Sequence, residues 1–231
     1  RAYLYAHDDE LLPDIKQQLF HELINKRHAG IPLAYLCGEK EFWSFMIKVT
    51  SATLIPRPET EYLVEQTLLL MKDRQNCRVL ELGTGSGAIS IALAKERPDW
   101  HILAVEKSHD AYKVARENLR LHDIRQVELI RSDWFSEVAL QPSFDVIISN
   151  PPYLAENDEH LQQGDLRFEP KGALTSGPAG LDDLVHIIAQ GKQYLATHGL
   201  VIVEHGFMQA KAIREIFLLH HYQDIHTYND Y

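Results

Sequence analysis

Only two cysteines, Cys37 and Cys77, occur in the 231 residues, and they stand forty positions apart. A disulfide framework or a cysteine-built metal site needs closely paired spacings, so neither organises this chain, and a reducing compartment fits. The thirteen histidines show no H-E-x-x-H or comparable ligand spacing, so no metal site is expected. No apolar run approaches the ~20 residues of a membrane-spanning helix. The opening RAYLYAHDDE lacks the apolar stretch and small-residue cleavage site of a secretory signal. Internal repeats and low-complexity tracts are absent too. Basic residues are in deficit: 23 Lys and Arg face 33 Asp and Glu, a net charge of −10. Residues 1–60 hold 7 basic and 8 acidic side chains, so the excess acid lies in the remainder, at 16 against 25. Without a basic stripe, and with only isolated pairs such as Lys26–Arg27, duplex DNA is a poor partner.

What is present is an ordinary globular composition, 45% hydrophobic and 24% charged, long enough for one α/β domain and a smaller appendage. Ile15, Leu19, Leu23 and Ile24 give residues 13–29 helical spacing. Gly30 and Pro32 end that stretch. Residues 41–55 turn strand-like and suggest a hairpin or extended linker, closed by Pro56 and Pro58; a helix is expected over 59–71. From residue 78 short apolar runs alternate with helical stretches. Strands are expected at 79–82, 102–105, 127–130, 144–149 and 200–204, with a strand-like end at 222–228. Helices are expected at 88–96, 110–121, 181–196 and 208–220. The fold class is therefore α/β, a parallel sheet with helices on both faces. Such sheets bind ligands beyond the carboxyl ends of their strands, which directs attention to the loops after 82, 106, 131 and 149.

The first loop is Gly83-Thr84-Gly85-Ser86-Gly87, where glycines allow a tight turn and close approach of a ligand to main-chain N–H groups. Alone it is weak, since a dinucleotide fingerprint with Ala88 in its last place reads almost the same. Glu106 stands about twenty residues on, where a carboxylate accepts both hydroxyls of a ribose; it could equally cap the next helix. In the third loop, Asp133 can accept from an adenine amino group and Trp134 can stack on the base, unless the aromatics only fill a core edge. Three successive strand ends thus suit an adenosine ligand.

The fourth loop carries Asn150-Pro151-Pro152-Tyr153. Methyl transfer from a sulfonium needs an in-line nucleophile, and a planar amide or aromatic amine is a poor one because its lone pair is delocalised. A site compensates by accepting both N–H hydrogens, which orients the nitrogen and stabilises its developing charge. The Asn150 side-chain oxygen takes one and the Pro151 backbone carbonyl the other, while the prolines fix the turn and Tyr153 offers an aromatic face. The bland alternative is a proline-stiffened turn. No general base is needed if the proton leaves to water. His205 is expected to be structural, His220–His221 a surface pair, and Ser86, Ser132 and Ser149 lack a nucleophile-elbow pattern.

The segments IPRPETE (55–61), ELGTGSGAIS (81–90), SDWF (132–135), SNPPY (149–153) and LQQGDLRFEP (161–170) together resemble the peptide-chain release factor glutamine methyltransferases. The resemblance runs over essentially the whole chain. It implies a Rossmann-like class I methyltransferase domain (59–231), a partial helical N-terminal domain (1–36) that docks substrate, and a hairpin linker (37–58). It further implies S-adenosylmethionine as cofactor, held by Gly83, Thr84, Gly85, Ser86, Gly87, Glu106, Asp133, Trp134 and Asn150. Asn150 through Tyr153 would hold the Gly-Gly-Gln glutamine of class 1 release factors, with Asn150 and Pro151 catalytic and IPRPETE bordering the site. A cytoplasmic monomer with no direct nucleic-acid or membrane partner is the expectation that goes with it. Glu81 and Glu106 replace the family's usual Asp, keeping charge and acceptor ability. Without an initiating Met, and ending at YNDY where relatives continue into a final strand, the chain is expected to lack segments at both ends. An adenine-N6 or other nucleic-acid amino-methyltransferase is the competing reading, because the same tetrapeptide suits an exocyclic amine on a flat base.

Overall fold

The computed structural model describes residues 2–7, 10–11 and 13–229. Two short N-terminal helices, α1 (Ala2–Ala6) and α3 (Leu33–Cys37), flank the longer α2 (Asp14–His28). The helical spacing of 13–29 is realised in α2, but its stripe is not packed: Ile15, Leu19, Phe20 and Ile24 are exposed. Gly38, at a positive φ of 78°, ends α3 and starts an antiparallel hairpin of β1 (Glu39–Phe42) and β2 (Phe45–Lys48). Alternation along these strands buries Phe42 and Ile47 against the main domain. The remaining 49–57 stretch is turn and extended chain leading into α4 (Pro58–Leu70), whose first residue is a proline with no N–H to lose.

The main domain is a five-stranded, all-parallel sheet in the order β5-β4-β3-β6-β7. Its strands are β3 (Arg78–Leu82), β4 (His101–Glu106), β5 (Val127–Arg131), β6 (Phe144–Ser149) and β7 (Leu195–Val203). Helices α5 (Ala88–Glu96), α6 (His109–Leu121), α7 (Asp182–Gly191) and α8 (Ala210–Leu219) connect or follow them. Strand period two divides the core. Val79, Ile102, Ala104, Val146 and Ile148 pack on one face with α4, α5 and Leu119 of α6, while Leu80, Leu82, Val105 and Ile147 face Ile187 of α7. Helix α8 packs on α7 through Ile213 and Phe217 against Leu184 and Ile188. Each fully buried aliphatic side chain here contributes about 1.5–3 kcal/mol.

Connections from β3 run outward to β4 and β5, then return across β3 to β6 and β7. The reversal opens a crevice at the carboxyl ends of β3 and β6, the place where such sheets take ligands. No helix among the described residues is long and apolar enough to cross a membrane.

Three expectations are corrected. The helix expected over 181–196 ends at Gly191, and the strand expected at 200–204 already pairs from Leu195. Phe144 donates to the Tyr194 carbonyl at 2.8 Å and recruits the segment into the sheet, with an irregularity between Phe144 and Val146. Residues 222–228 form no strand: Tyr222 docks on helices instead, its hydroxyl donating to the Ile188 carbonyl at 2.9 Å. The final Asp230 and Tyr231 of YNDY lie outside the described residues.

Candidate active site

The crevice is a cavity of about 450 Å³, within the range of small-ligand sites. Gly83 to Ser86, Glu106, Ser132, Trp134, Asn150 and Pro152 line it, joining four strand ends that the sequence singled out separately. The glycine turn has positive φ at Gly83 (72°), Gly85 (58°) and Gly87 (85°), a backbone only glycine adopts without strain. Val105 O accepts from both Gly83 and Thr84 N–H at 2.9 Å, which pins the turn to the end of β4. A side chain at Gly83 would meet the Trp134 ring at 3.4 Å, whereas nothing lies within 4 Å of the same point at Gly85. The turn is therefore closed on the indole side and open at its tip. The buried Thr84 hydroxyl oxygen has no protein partner.

Glu106 accepts from Gly85 N–H at 2.9 Å and Ser108 N–H at 2.7 Å, one on each carboxylate oxygen. Both oxygens keep a further lone pair, so two vicinal hydroxyls are still within their capacity. Burial pushes the Glu106 carboxyl above its usual value, and the backbone hydrogen bonds from Ser108 and Gly85 oppose that shift. Trp134 sits at φ 49°, and its indole N–H donates to Asp183 Oδ1 at 3.0 Å. That bond fixes the plane of the ring beside Gly83. Residues at these positions, a hydroxyl without a partner among them, fit an adenosine-bearing ligand.

Four of the sequence-predicted residues lie outside the cavity wall. Asp133 is half-exposed and pairs with Lys107 Nζ at 2.8 Å, while Ser132 and Trp134 face the cavity in its place. Gly87 sits behind the turn as the residue that opens α5. Pro151 is buried. Tyr153 turns away into the α7–α8 cluster. Its phenol donates to Glu204 Oε1 at 3.2 Å, and burial followed by the Glu204 charge holds it above the ordinary tyrosine value, so it stays a donor. His205 is half-buried, with Nδ1 2.9 Å from its neighbour's carbonyl Gly206 O.

The tetrapeptide is anchored on both sides. Ser149 Oγ donates to Leu82 O at 2.7 Å, tying the ends of β6 and β3 together. Gln209 Nε2 donates to Tyr153 O at 2.9 Å. Asn150 Nδ2 donates to Thr60 Oγ1 at 2.9 Å, and Thr60 Oγ1 donates to Glu204 Oε2 at 2.8 Å. Thr60 belongs to IPRPETE. Pro56 of the same segment lines the cavity with Phe42 and Leu54, and Pro170, Gly172 and Ala173 line it from the loop after the tetrapeptide. Glu169 clasps the two segments: it accepts from Ile55 N–H at 3.0 Å and pairs with Arg57 while itself 5% exposed. Sequence reasoning gave Glu204 no role and missed Gly172 and Ala173, while Pro170 ends the LQQGDLRFEP segment that it singled out. The only signal for Glu204 was an acidic residue following a strand on the carboxyl edge.

No group of three or more potential metal ligands occurs among the described residues. The fold is shared with the ribosomal protein L11 methylase of Lactobacillus delbrueckii subsp. bulgaricus (TM-score 0.56, 20% identity, 75% of each chain covered). It is shared too with the hMettl16 catalytic domain in complex with MAT2A 3′UTR hairpin 1 (TM-score 0.62, 16% identity, 78% of this chain and 68% of that one). The methyltransferase small domain family matches residues 60–173, and the PrmC N-terminal domain family matches residues 1–38. Strand order, glycine turn and switch-point cavity thus define a class I, S-adenosylmethionine-dependent methyltransferase.

Curated relatives narrow this further. The release factor glutamine methyltransferase of Escherichia coli K12 is 46% identical over 231 residues, covering 100% of this chain and 83% of the relative. That of Aliivibrio fischeri is 42% identical over 232 residues, covering 100% and 81%. The chain belongs to the release factor glutamine methyltransferase family.

Proposed function

We propose that this enzyme transfers the methyl group of S-adenosylmethionine to the side-chain amide nitrogen of the Gly-Gly-Gln glutamine in class 1 peptide chain release factors. The observation that carries the reading is that Asn150 and the glycine turn line one cavity, with the Asn150 amide nitrogen already engaged by Thr60 of the same wall. S-adenosylmethionine, when bound, supplies an electrophilic methyl on a sulfonium. The open tip at Gly85, the unpartnered Thr84 hydroxyl, the Glu106 carboxylate and the fixed Trp134 ring are the groups that would hold it, with Gly83, Ser86 and Gly87 shaping the turn.

The Asn150 oxygen accepts one amide hydrogen of the glutamine, and the Pro151 carbonyl, whose residue lies outside the cavity wall, would take the other once the turn adjusts to the substrate. These acceptors hold the nitrogen in line and offset the positive charge that grows there as the new N–C bond forms and the methyl–sulfur bond breaks, which would leave S-adenosylhomocysteine. Pro152 closes the cavity behind that group. The nitrogen then gives up one proton to water. Asp133, paired with Lys107 at the rim, would meet the adenine edge only through rearrangement of that pair.

In the same reading residues 59–231 form the catalytic domain, 37–58 the linker, and 1–36 part of the surface that receives the release factor in the cytoplasm. Identity of 46% to a release factor glutamine methyltransferase over the whole chain supports this substrate over a nucleic-acid base. Labelled methyl transfer to a purified release factor is the test. Label is expected in the factor, lost when its loop glutamine is replaced, with kcat lowered at least ~100-fold by Asn150→Ala. A folded enzyme that leaves the factor unlabelled overturns the proposal.

A further inference from the structure

An asparagine side chain has two ends of nearly the same shape, one accepting and one donating. Rotated by half a turn, Asn150 would point its NH₂ group at the hydrogens of the incoming amide, and donor would face donor. Something must select the accepting orientation. The tetrapeptide does not contain it, because a proline ring has no hydrogen to give or lone pair to offer, and Tyr153 points elsewhere.

The selection is made by polarity along a chain of three side chains. Glu204 is a carboxylate, and a carboxylate only accepts. The Thr60 hydroxyl therefore spends its one hydrogen on Glu204 Oε2, at 2.8 Å. It then meets Asn150 with lone pairs alone, so the end of Asn150 at 2.9 Å from it has to be the NH₂ group. The carbonyl end is left for the cavity. Glu204 is itself held by the segment it serves: its other oxygen takes the Tyr153 hydroxyl at 3.2 Å, and its backbone N–H donates to Ser149 O at 3.0 Å. Thr60 and Ser149 are buried, which strengthens each of these bonds and makes an unsatisfied alternative costly.

We infer that Thr60 and Glu204 are positioning residues for methyl transfer, a relay that locks the Asn150 amide with its oxygen toward the methyl acceptor. The inference deepens the proposed function and rests on it for the identity of the acceptor. It uses residues from α4, the end of β6 and the turn after β7, which no local motif connects.

Three variants and two measurements test it. Thr60→Val keeps the shape and removes the hydroxyl, Thr60→Ser keeps the hydroxyl, and Glu204→Gln replaces the acceptor by a group that also donates. Thr60→Val and Glu204→Gln are expected to lower kcat of methyl transfer to the release factor about 10- to 100-fold, with little change in KM for either substrate. Thr60→Ser should restore most of kcat. Hydrogen exchange of the Asn150 side-chain amide, followed by NMR on ¹⁵N-asparagine-labelled enzyme without substrate, should be slow in wild type and Thr60→Ser and fast in Thr60→Val.

Wild-type kcat in Thr60→Val overturns the relay. So does a Thr60→Ser enzyme as slow as Thr60→Val, which would mark a packing role only. If the wild-type enzyme labels no release factor, the proposed substrate falls, and the exchange experiment decides the relay by itself. Equal protection of the Asn150 amide in wild type and Thr60→Val then counts against it.

Discussion

Glu81 places a carboxylate at 1% exposure beneath the glycine turn, near the end of β3. Ser90 donates to one of its oxygens; the other, like the neighbouring Thr84 hydroxyl, has no partner. Burial raises its pKa from 4.5 to about 7, against the opposing pull of the Ser90 and Thr84 hydroxyls. The folded state therefore holds this proton more tightly than the unfolded chain does. Stability from Glu81 is complete below pH 4.5 and is lost as pH rises through 7. Glu81→Gln removes the titration and is expected to flatten the profile, where the wild type loses up to about 3 kcal/mol over that window. Urea unfolding at pH 5 and pH 8 checks this, and parallel losses in the two proteins would refute it. The sequence showed an acid at this position. It could not show that the acid is sealed from water, because burial comes from α5 folding over it.

The linker hairpin shows the same division between elements. Alternation at Phe42, Phe45 and Ile47 made a hairpin readable, but its turn residues, Trp43 and Ser44, carry none of the glycine or asparagine signal for a two-residue turn. Both take positive φ, 51° and 62°. Glu61 of α4 accepts from the Trp43 backbone N–H at 2.7 Å, and Glu96 of α5 accepts from its indole at 2.8 Å, so tertiary hydrogen bonds hold what local preference does not. A second clamp comes from the fully buried Asn118 of α6. Its oxygen accepts from Lys48 N–H at 2.9 Å, and its NH₂ donates to Lys48 O at 2.9 Å and Ser86 O at 2.8 Å. Asn118 thus ties the hairpin to the cofactor turn. Asn118→Leu is expected to cost about 2 to 4 kcal/mol, by stranding the buried Ser86 carbonyl and two part-buried backbone groups of Lys48, and to weaken S-adenosylmethionine binding. Denaturant melts and calorimetric titration of the same variant measure both. An intact affinity would show that the turn holds its shape without the clamp.

Over the whole molecule the net charge of −10 sets which polymers it meets. Affinity for duplex DNA or single-stranded RNA at 0.15 M salt is expected to be weaker than the ~10⁻⁴ M edge of ordinary non-specific binding. Fluorescence anisotropy with labelled oligonucleotides tests this. Micromolar binding that falls steeply between 50 and 200 mM salt, on the order of ~10³-fold, would return the nucleic-acid reading to favour. Apolar side chains of α2 (Ile15, Leu19, Phe20 and Ile24) and the neighbours Phe207 and Met208 are exposed on the described part of the molecule.

Sequence alone determined the order of β and α elements, because the buried strands are short Val- and Ile-rich runs and the helices between them keep their spacing. It also determined the four loops of the site, since glycine turns and proline-stiffened corners are written in residue types. Tertiary structure decided what joins them. Strand order placed β6 beside β3, so the glycine turn and Asn150 share one cavity. It carried Thr60 and Glu204, 144 positions apart, into one hydrogen-bonded chain with Asn150. It ended the helix at Gly191 and left 222–228 out of the sheet. Pattern along a chain reports which face a residue prefers. Which distant residue meets it there is fixed only when the sheet closes and the buried polar groups must find partners.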